Sequence, residues 1–179
     1  VSVASSGLSS LNGVKELTLP ASMTRVAFTA ADLANTIDTL KIADSNALFK
    51  TVDGVLYSKD GTTLYAYPKA KENKNADGVD EFVVTANVVK IFDGAFGGTM
   101  YLNKLIIKGA PTINNNAFEK VQLLSEIVFE STTPAVFAGW DILSGANVNL
   151  VIKVPASALA EYKANVLLDY SIIDSFTGI

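Results

Sequence analysis

"IFDGAFGGTMYLNKLIIKG" at residues 91–109 and "INNNAFEKVQLLSEIVFES" at 113–131 are two copies of one pattern. Ile91 falls on Ile113, Ala95-Phe96 on Ala117-Phe118, Leu102 on Leu124, Leu105 on Ile127 and Ile107 on Phe129, each pair 22 residues apart. A period of this length marks a stacked-coil architecture, in which one small structural unit recurs and buries its apolar face against its neighbours.

Upstream the same template takes Val26, Ala31, Ile37, Leu40 and Ile42, and before them Val3, Leu8, Val14, Leu17 and Leu19. All 20 slots of these four copies are apolar in a chain that is 49% hydrophobic. Chance would fill a fixed register this way roughly once in a million. A fifth copy keeps only its end, Val79, Phe82 and Val84, and a sixth keeps Ala138, Leu143, Ile152 and Val154.

Each unit centres on L-x-x-L-x-L: "VKELTL" at 14–19, "IDTLKI" at 37–42, "LNKLII" at 102–107 and "LSEIVF" at 124–129. Alternation in its last three residues predicts a short strand with two side chains inward and one outward. This is the strand pattern of a leucine-rich repeat. The expected fold is therefore a leucine-rich-repeat solenoid, mostly β with short helical or 3₁₀ turns and a parallel sheet on one face. About six repeats would fill a single domain, 1–179. One consensus position departs: Ser22, Ser45, Ala110 and Thr132 stand where Asn or Cys is expected, and only Asn87 conforms.

The stretch "DGVLYSKDGTTLYAYP" (53–68) breaks the period. Two runs rich in Val, Leu, Tyr and Thr flank Asp60-Gly61, which predicts a β-hairpin. Leu40 and Phe82 are 42 residues apart where one period would give about 22. The hairpin, at about 50–70, is either an insertion or a replaced half-repeat. At the other end, 151–179 is expected to cap the array. Pro155 should stop a strand, Ser157 should cap a helix through Leu159, Tyr162 and Lys163, and Leu159, Tyr162 and Val166 should form its apolar face. No comparable cap is visible at the N-terminus, so the natural chain is expected to continue upstream.

The I-x-x-x-A-F-x(5)-L-x-x-L-x-I units at 91–107 and 113–129, the segment "NALFKTVDGVLYSKDGTTLYAYPKAK" (46–71) and the ending "VIKVPASALAEYKANVLLDYSII" (151–173) together carry a resemblance. The chain resembles the BspA-like leucine-rich repeats of bacterial cell-surface proteins. It departs from them at Ala30-Ala31, at Gly7-Leu8 and in the sixth copy, which lacks Ala-Phe. The resemblance implies an exported or surface-anchored, adhesin-like module that binds an extracellular or host protein.

Composition limits the alternatives. Fourteen basic against 18 acidic residues give a net charge of −4, with no Lys/Arg cluster, which argues against a nucleic-acid surface. There is no His and no Cys, so Ser-His and Cys-His dyads and the commonest metal ligands are missing. No apolar stretch reaches 18 residues, and no membrane-spanning helix is expected. The chain starts at Val1, so either an export signal has been removed or the chain is trimmed.

"DGAFGG" (93–98) lacks the spacing of a nucleotide-binding loop and reads as a turn. "DSNAL" (44–48) opens like a calcium loop but lacks its Gly, and Val55 stands where the closing Glu belongs. Asn114 to Asn116 read as a tight loop, Asp77, Asp80 and Glu81 as a solvated loop, and Trp140 as packing over an irregular coil or a sugar platform. No catalytic set, metal site or cofactor is expected.

What remains is surface. The residue between the two inward slots of each strand must point outward, and that column is Thr18, Lys41, Val83, Ile106, Val128 and Lys153. Lys41, Val83, Ile106 and Val128 are candidates for partner binding, because a solvent-facing apolar strip with polar ends suits a partner site. Tyr65 and Tyr67, two residues apart on the hairpin, are expected on one face and form a second candidate. The reading is a non-catalytic module that binds a protein partner. A carbohydrate-binding module is the alternative, and an enzyme comes third.

Overall fold

The computed structural model of the chain describes residues 2–4, 7–139, 141–165 and 176–179. In chain order the strands are β1 (Ser2–Ala4), β2 (Glu16–Leu19), β3 (Arg25–Ala27), β4 (Thr39–Ile42), β5 (Phe49–Val52), β6 (Val55–Ser58), β7 (Thr63–Ala66) and β8 (Glu81–Val84). They continue as β9 (Lys90–Ile91), β10 (Lys104–Ile107), β11 (Thr112–Ile113), β12 (Glu126–Phe129), β13 (Val136–Phe137), β14 (Val151–Val154) and β15 (Phe176–Gly178), with helix α1 (Leu159–Asn165) before the last.

The L-x-x-L-x-L cores become the strands of a stacked parallel sheet. Leu105 pairs with Phe82 on one side and Ile127 on the other, and Ile107 with Val84 and Phe129. The five-stranded sheet runs β15-β14-β12-β10-β8, and β2-β4 form a separate two-stranded piece. Coils wind about seven times as a β-solenoid. On another side of each coil, β9, β11 and β13 form a second parallel ladder through Ile91, Ile113 and Phe137.

Between these ladders lies the Ala-Phe corner. The Tyr67 amide donates to the Ala95 carbonyl (2.8 Å), Phe96 to Ala117 (2.9 Å) and Phe118 to Ile142 (2.9 Å). The same register stacks the side chains: ring centroids of Tyr67 and Phe96 lie 5.4 Å apart, and those of Phe96 and Phe118 5.5 Å apart. The corner turns recur with the period. Gly94 and Asn116 have φ of 58° and 55°, and Gly98 and Lys120 have 67° and 56°. Glycine at position 94 also answers a steric demand. The Ala30 amide donates to the Gly94 carbonyl (3.1 Å), and a Cβ on Gly94 would lie 2.7 Å from Thr29 Cβ.

At the break in the period the last strand of the hairpin joins the second ladder. β7 pairs antiparallel with β6 and parallel with β9, through Thr63 with Lys90 and Leu64 with Ile91. Its strand is thus both the end of the hairpin and the first rung of the second ladder, and Tyr67 follows as the first aromatic rung. The hairpin is also larger than its central turn predicts. β5 precedes β6 through Asp53-Gly54, whose φ values of 48° and 76° are those of a type I′ turn. The tip docks on the solenoid, with the Leu40 amide donating to the Gly54 carbonyl at 2.9 Å.

Three expectations need correction. In the second repeat Ala30 and Leu33 are fully buried while Ala31 is partly exposed, because the chain there forms a 3₁₀ turn over Ala30–Asp32. In the sixth, Phe137 and Ile142 take the slots of Ile113 and Phe118 one coil on, and Ala138 is exposed, because the interval is 24 residues at the corner and reaches 25 only at the strand, where Ile127 pairs with Ile152. Ser157 does not cap α1: it is exposed inside a 3₁₀ turn (Ala156–Ala158) that has no side-chain cap bond. Val166 and Trp140 lie outside the described residues.

The C-terminal end does cover the last coil. β14 ends before Pro155, α1 brings Tyr162 to 5.3 Å from the Phe129 ring, and the Tyr162 hydroxyl donates to the Ser131 carbonyl at 3.0 Å. β15 then adds a parallel rung beside β14, with Phe176 buried against Phe137 and Tyr162.

Asn46, one residue past the consensus slot at Ser45, is buried and fully engaged. Its amide donates to the carbonyls of Ala21 (2.8 Å) and Met23 (2.9 Å), and its oxygen accepts from the amides of Leu48 (2.9 Å) and Phe49 (2.8 Å). It ties the second coil to the start of the hairpin.

Two stability measurements test this packing. Phe118→Ala empties one rung of the aromatic column and should cost about 3–5 kcal/mol in denaturant unfolding. A midpoint left in place would mean that Phe118 is not in the stacked core. Asn46→Ala strands two carbonyls and two amides and should cost about 2–4 kcal/mol. A smaller loss than that of an exposed Asn, such as Asn12→Ala, would rule out the tie.

Candidate functional site

The outward column of the five-stranded sheet forms as its spacing predicts. Val83, Ile106, Val128 and Lys153 are direct cross-strand partners on β8, β10, β12 and β14, and Thr177 continues the row on β15. Val83, Ile106 and Val128 are each partly exposed. Adjacent rungs of a sheet are about 4.8 Å apart, so the three β-branched side chains make one unbroken ridge.

Two residues upstream on β8, β10 and β12 runs a column of charge, Glu81, Lys104 and Glu126, and on β14 the same position is Val151. Lys104 lies between Glu81 (3.3 Å) and Glu126 (3.6 Å), and Lys153 reaches Glu126 at 2.5 Å. The hydrogen bond to Glu81 raises the Lys104 pKa further, against the opposing effect of partial desolvation. The column alternates in sign and pairs internally. Further upstream, Tyr101 and Leu123 are exposed large apolar residues one period apart, at 37% and 51%. Immediately downstream of the inward Ile107 and Phe129, Lys108 and Glu130 are exposed and have no ion pair among the described residues.

Lys41 stands apart from this ridge. It is exposed on β4, paired in register with Thr18 and bridged to Glu16 at 2.7 Å. β4 and β8 belong to different sheets because the hairpin tip docks against β4, so Lys41 and Val83 are not cross-strand neighbours.

The two hairpin tyrosines separate. Tyr65 is partly exposed, with its ring 5.4 Å from Phe49 and 4.8 Å from Phe92. Tyr67 is completely buried between Phe82 and Phe96. The expected shared face fails because β7 ends at Ala66, and the chain turns into the Ala-Phe corner where Tyr67 is the first rung. Tyr67 belongs to the core and presents no surface to a partner. Tyr57, also in the hairpin, lines a shallow cleft of about 140 Å³ with Lys50, Val52, Gly61, Thr85 and Asn87.

The other sequence candidates are held by local structure. Asp60 accepts from Ser58 Oγ (2.6 Å), the Thr62 amide (3.0 Å) and Thr62 Oγ1 (2.9 Å), which shapes the turn and lowers its carboxyl to about 2. Asp80 is buried and accepts the Asn73 amide at 2.7 Å, and Glu81 belongs to the charge column. Asn116 makes a left-handed turn, and its amide donates to Glu119 at 3.2 Å. Among the described residues, no group of three or more Asp or Glu side chains is placed to hold a metal ion, and no helix is long and apolar enough to cross a membrane.

The backbone is similar to those of solved structures. A leucine-rich repeat protein from Eubacterium ventriosum superposes with a TM-score of 0.59 and 20% identity, covering 81% of this chain and 44% of that one. This fold is a leucine-rich-repeat solenoid. The pneumococcal vaccine antigen PcpA (TM-score 0.49, 15% identity) matches over 93% of this chain and 56% of its own. A leucine rich cell surface protein from Faecalibacterium prausnitzii (0.44, 16%) matches over 93% of this chain and 48% of its own. The chain thus spans about half the length of the solved proteins it matches. No family model matches the sequence, and no curated protein does.

Burial of the tyrosines has a pH consequence. Desolvation, reinforced by Asp53, pushes the Tyr57 phenol up to about 12, and desolvation with Asp80 raises Tyr67 further. The unfolded chain ionises near the ordinary value of 10.0, so this contribution to stability is intact below that pH and is lost as pH rises toward 12. Phenolate absorbance should therefore lag the ordinary tyrosine curve and rise together with loss of the far-ultraviolet dichroism. Full ionisation of all six tyrosines with the dichroism unchanged would contradict the burial described.

Proposed function

We propose that the chain is a non-catalytic binding module of an exported or surface-displayed bacterial protein, and that it engages a protein partner through the outward face of the five-stranded sheet. The observation that carries this reading is the ridge of Val83, Ile106 and Val128. These apolar side chains stand partly exposed on a rigid sheet, beside a charge column that is already neutralised internally. Apolar surface presented this way is stabilised when a partner removes it from water, at roughly 25 cal/mol per Å². Placement at a bacterial surface rests on the resemblance of the repeat and hairpin motifs to BspA-like proteins, and the superposition on a leucine-rich repeat protein is consistent with it. Lys41, in the separate β2-β4 sheet, and Tyr65, on the hairpin, lie outside the ridge and would contribute only to a partner that reaches beyond it.

The test is a panel of purified extracellular proteins and a glycan array, probed with the parent chain and with a variant carrying Val83→Lys, Ile106→Lys and Val128→Lys. These positions point outward, so the variant should keep the parent's dichroism. Protein hits should weaken by at least about tenfold, the loss expected when the centre of an interface is disrupted. Hits confined to glycans, or protein binding equal in parent and variant, would sink this assignment.

A further inference from the structure

We infer that the partner element seated on the ridge is an amphipathic α-helix lying along the stacking axis. The inference rests on the reading of this face as the protein-binding surface, and it adds the shape and charge of what binds. The ridge presents one apolar side chain per coil, and coils are spaced by the sheet at about 4.8 Å. A helix rises about 1.5 Å per residue, so apolar residues at i, i+3 or i+4 and i+7 advance about 10.5 Å over two intervals, against about 9.6 Å for three rungs. Same-face residues of an extended strand on that axis advance about 13.4 Å and lose register by the third rung. Only the helix keeps a side chain opposite Val83, Ile106 and Val128 together.

Charge selects within that class. On one flank the column Glu81–Lys104–Glu126 is paired internally, with Lys153 at the end of the ridge row closing on Glu126, and asks for no counter-charge. On the other flank Lys108 and Glu130 are exposed, outside any ion pair among the described residues, and one coil apart. A helix turn spans a similar rise, so the partner helix carries an acid facing Lys108 and, one turn away, a base facing Glu130. Exposed Tyr101 and Leu123, upstream of the charge column, offer a second apolar line to a bulky residue on the helix flank.

Two display libraries test this on the intact chain. One varies a single face of a rigid helical scaffold; the other consists of linear peptides with a central proline. The helical library should yield binders with an i, i+3 or i+4, i+7 apolar stripe flanked by an acid and a base one turn apart. Ile106→Lys should weaken these binders by at least about tenfold, and Ile106→Thr, which keeps a β-branched strand residue, by less. Exchanging the flank with Lys108→Glu and Glu130→Lys should weaken them too, and reselection on that variant should return the inverted order of charges. Binders drawn only from the linear library, yet sensitive to Ile106→Lys, would overturn the helix and leave the face assignment standing. Binders indifferent to Ile106→Lys, or none from either library, would overturn both.

Discussion

The bond from the Phe96 amide to the Ala117 carbonyl, 2.9 Å long, is the constraint on which the structure turns. With its counterparts at Tyr67 and Phe118 it locks each coil one period from the next at the corner. Once that interval is set, the residues of every coil are placed inward or outward together, because alternation leaves a strand no other choice. The aromatic column, the buried leucines and the outward ridge are three readings of one register. None of them could shift alone.

The hairpin is where the parallel stacking is interrupted, and it shapes what lies on both sides. Val55 and Leu56 are sequence neighbours in β6, yet Val55 packs with the C-terminal core and Leu56 with the N-terminal one. β7 hands an antiparallel ribbon over to a parallel ladder, and the docked tip separates β4 from β8. The ridge therefore begins at Val83. On the corner side, by contrast, the coils close up directly, with Thr29 against Gly94.

The five-stranded face combines rigidity with an incomplete surface. Its charges pair along the stack, where screening by solvent keeps each exposed pair weak, while its β-branched residues are left partly open to water. Rigid apolar surface of this kind binds with little ordering cost.

The 22-residue period, the inward slots at Leu102, Leu105, Ile107 and their equivalents, the stacking of Phe96 on Phe118 and the outward column at Val83, Ile106 and Val128 were all legible in the amino-acid sequence. Each is a local alternation repeated at a fixed interval, and repetition makes local signals add. What depended on contacts between distant segments was not legible. The slip from Ala31 to Ala30 and Leu33, and from Ala138 to Phe137, follows from turns of a different length in those coils. Asn46 was hidden one residue from its consensus slot, because its partners at Ala21 and Met23 lie a coil away. Tyr65 and Tyr67 look equivalent in the sequence, but the strand ends between them, and packing against Phe82 and Phe96 takes one of them out of reach. The sequence by itself determined a leucine-rich-repeat solenoid and the direction faced by the residues of the L-x-x-L-x-L strands, because both follow from period and alternation. Only the tertiary structure decided where the ridge begins, which tyrosine is surface and which charges are already spent, because those depend on how the hairpin docks and on which side chains meet across coils.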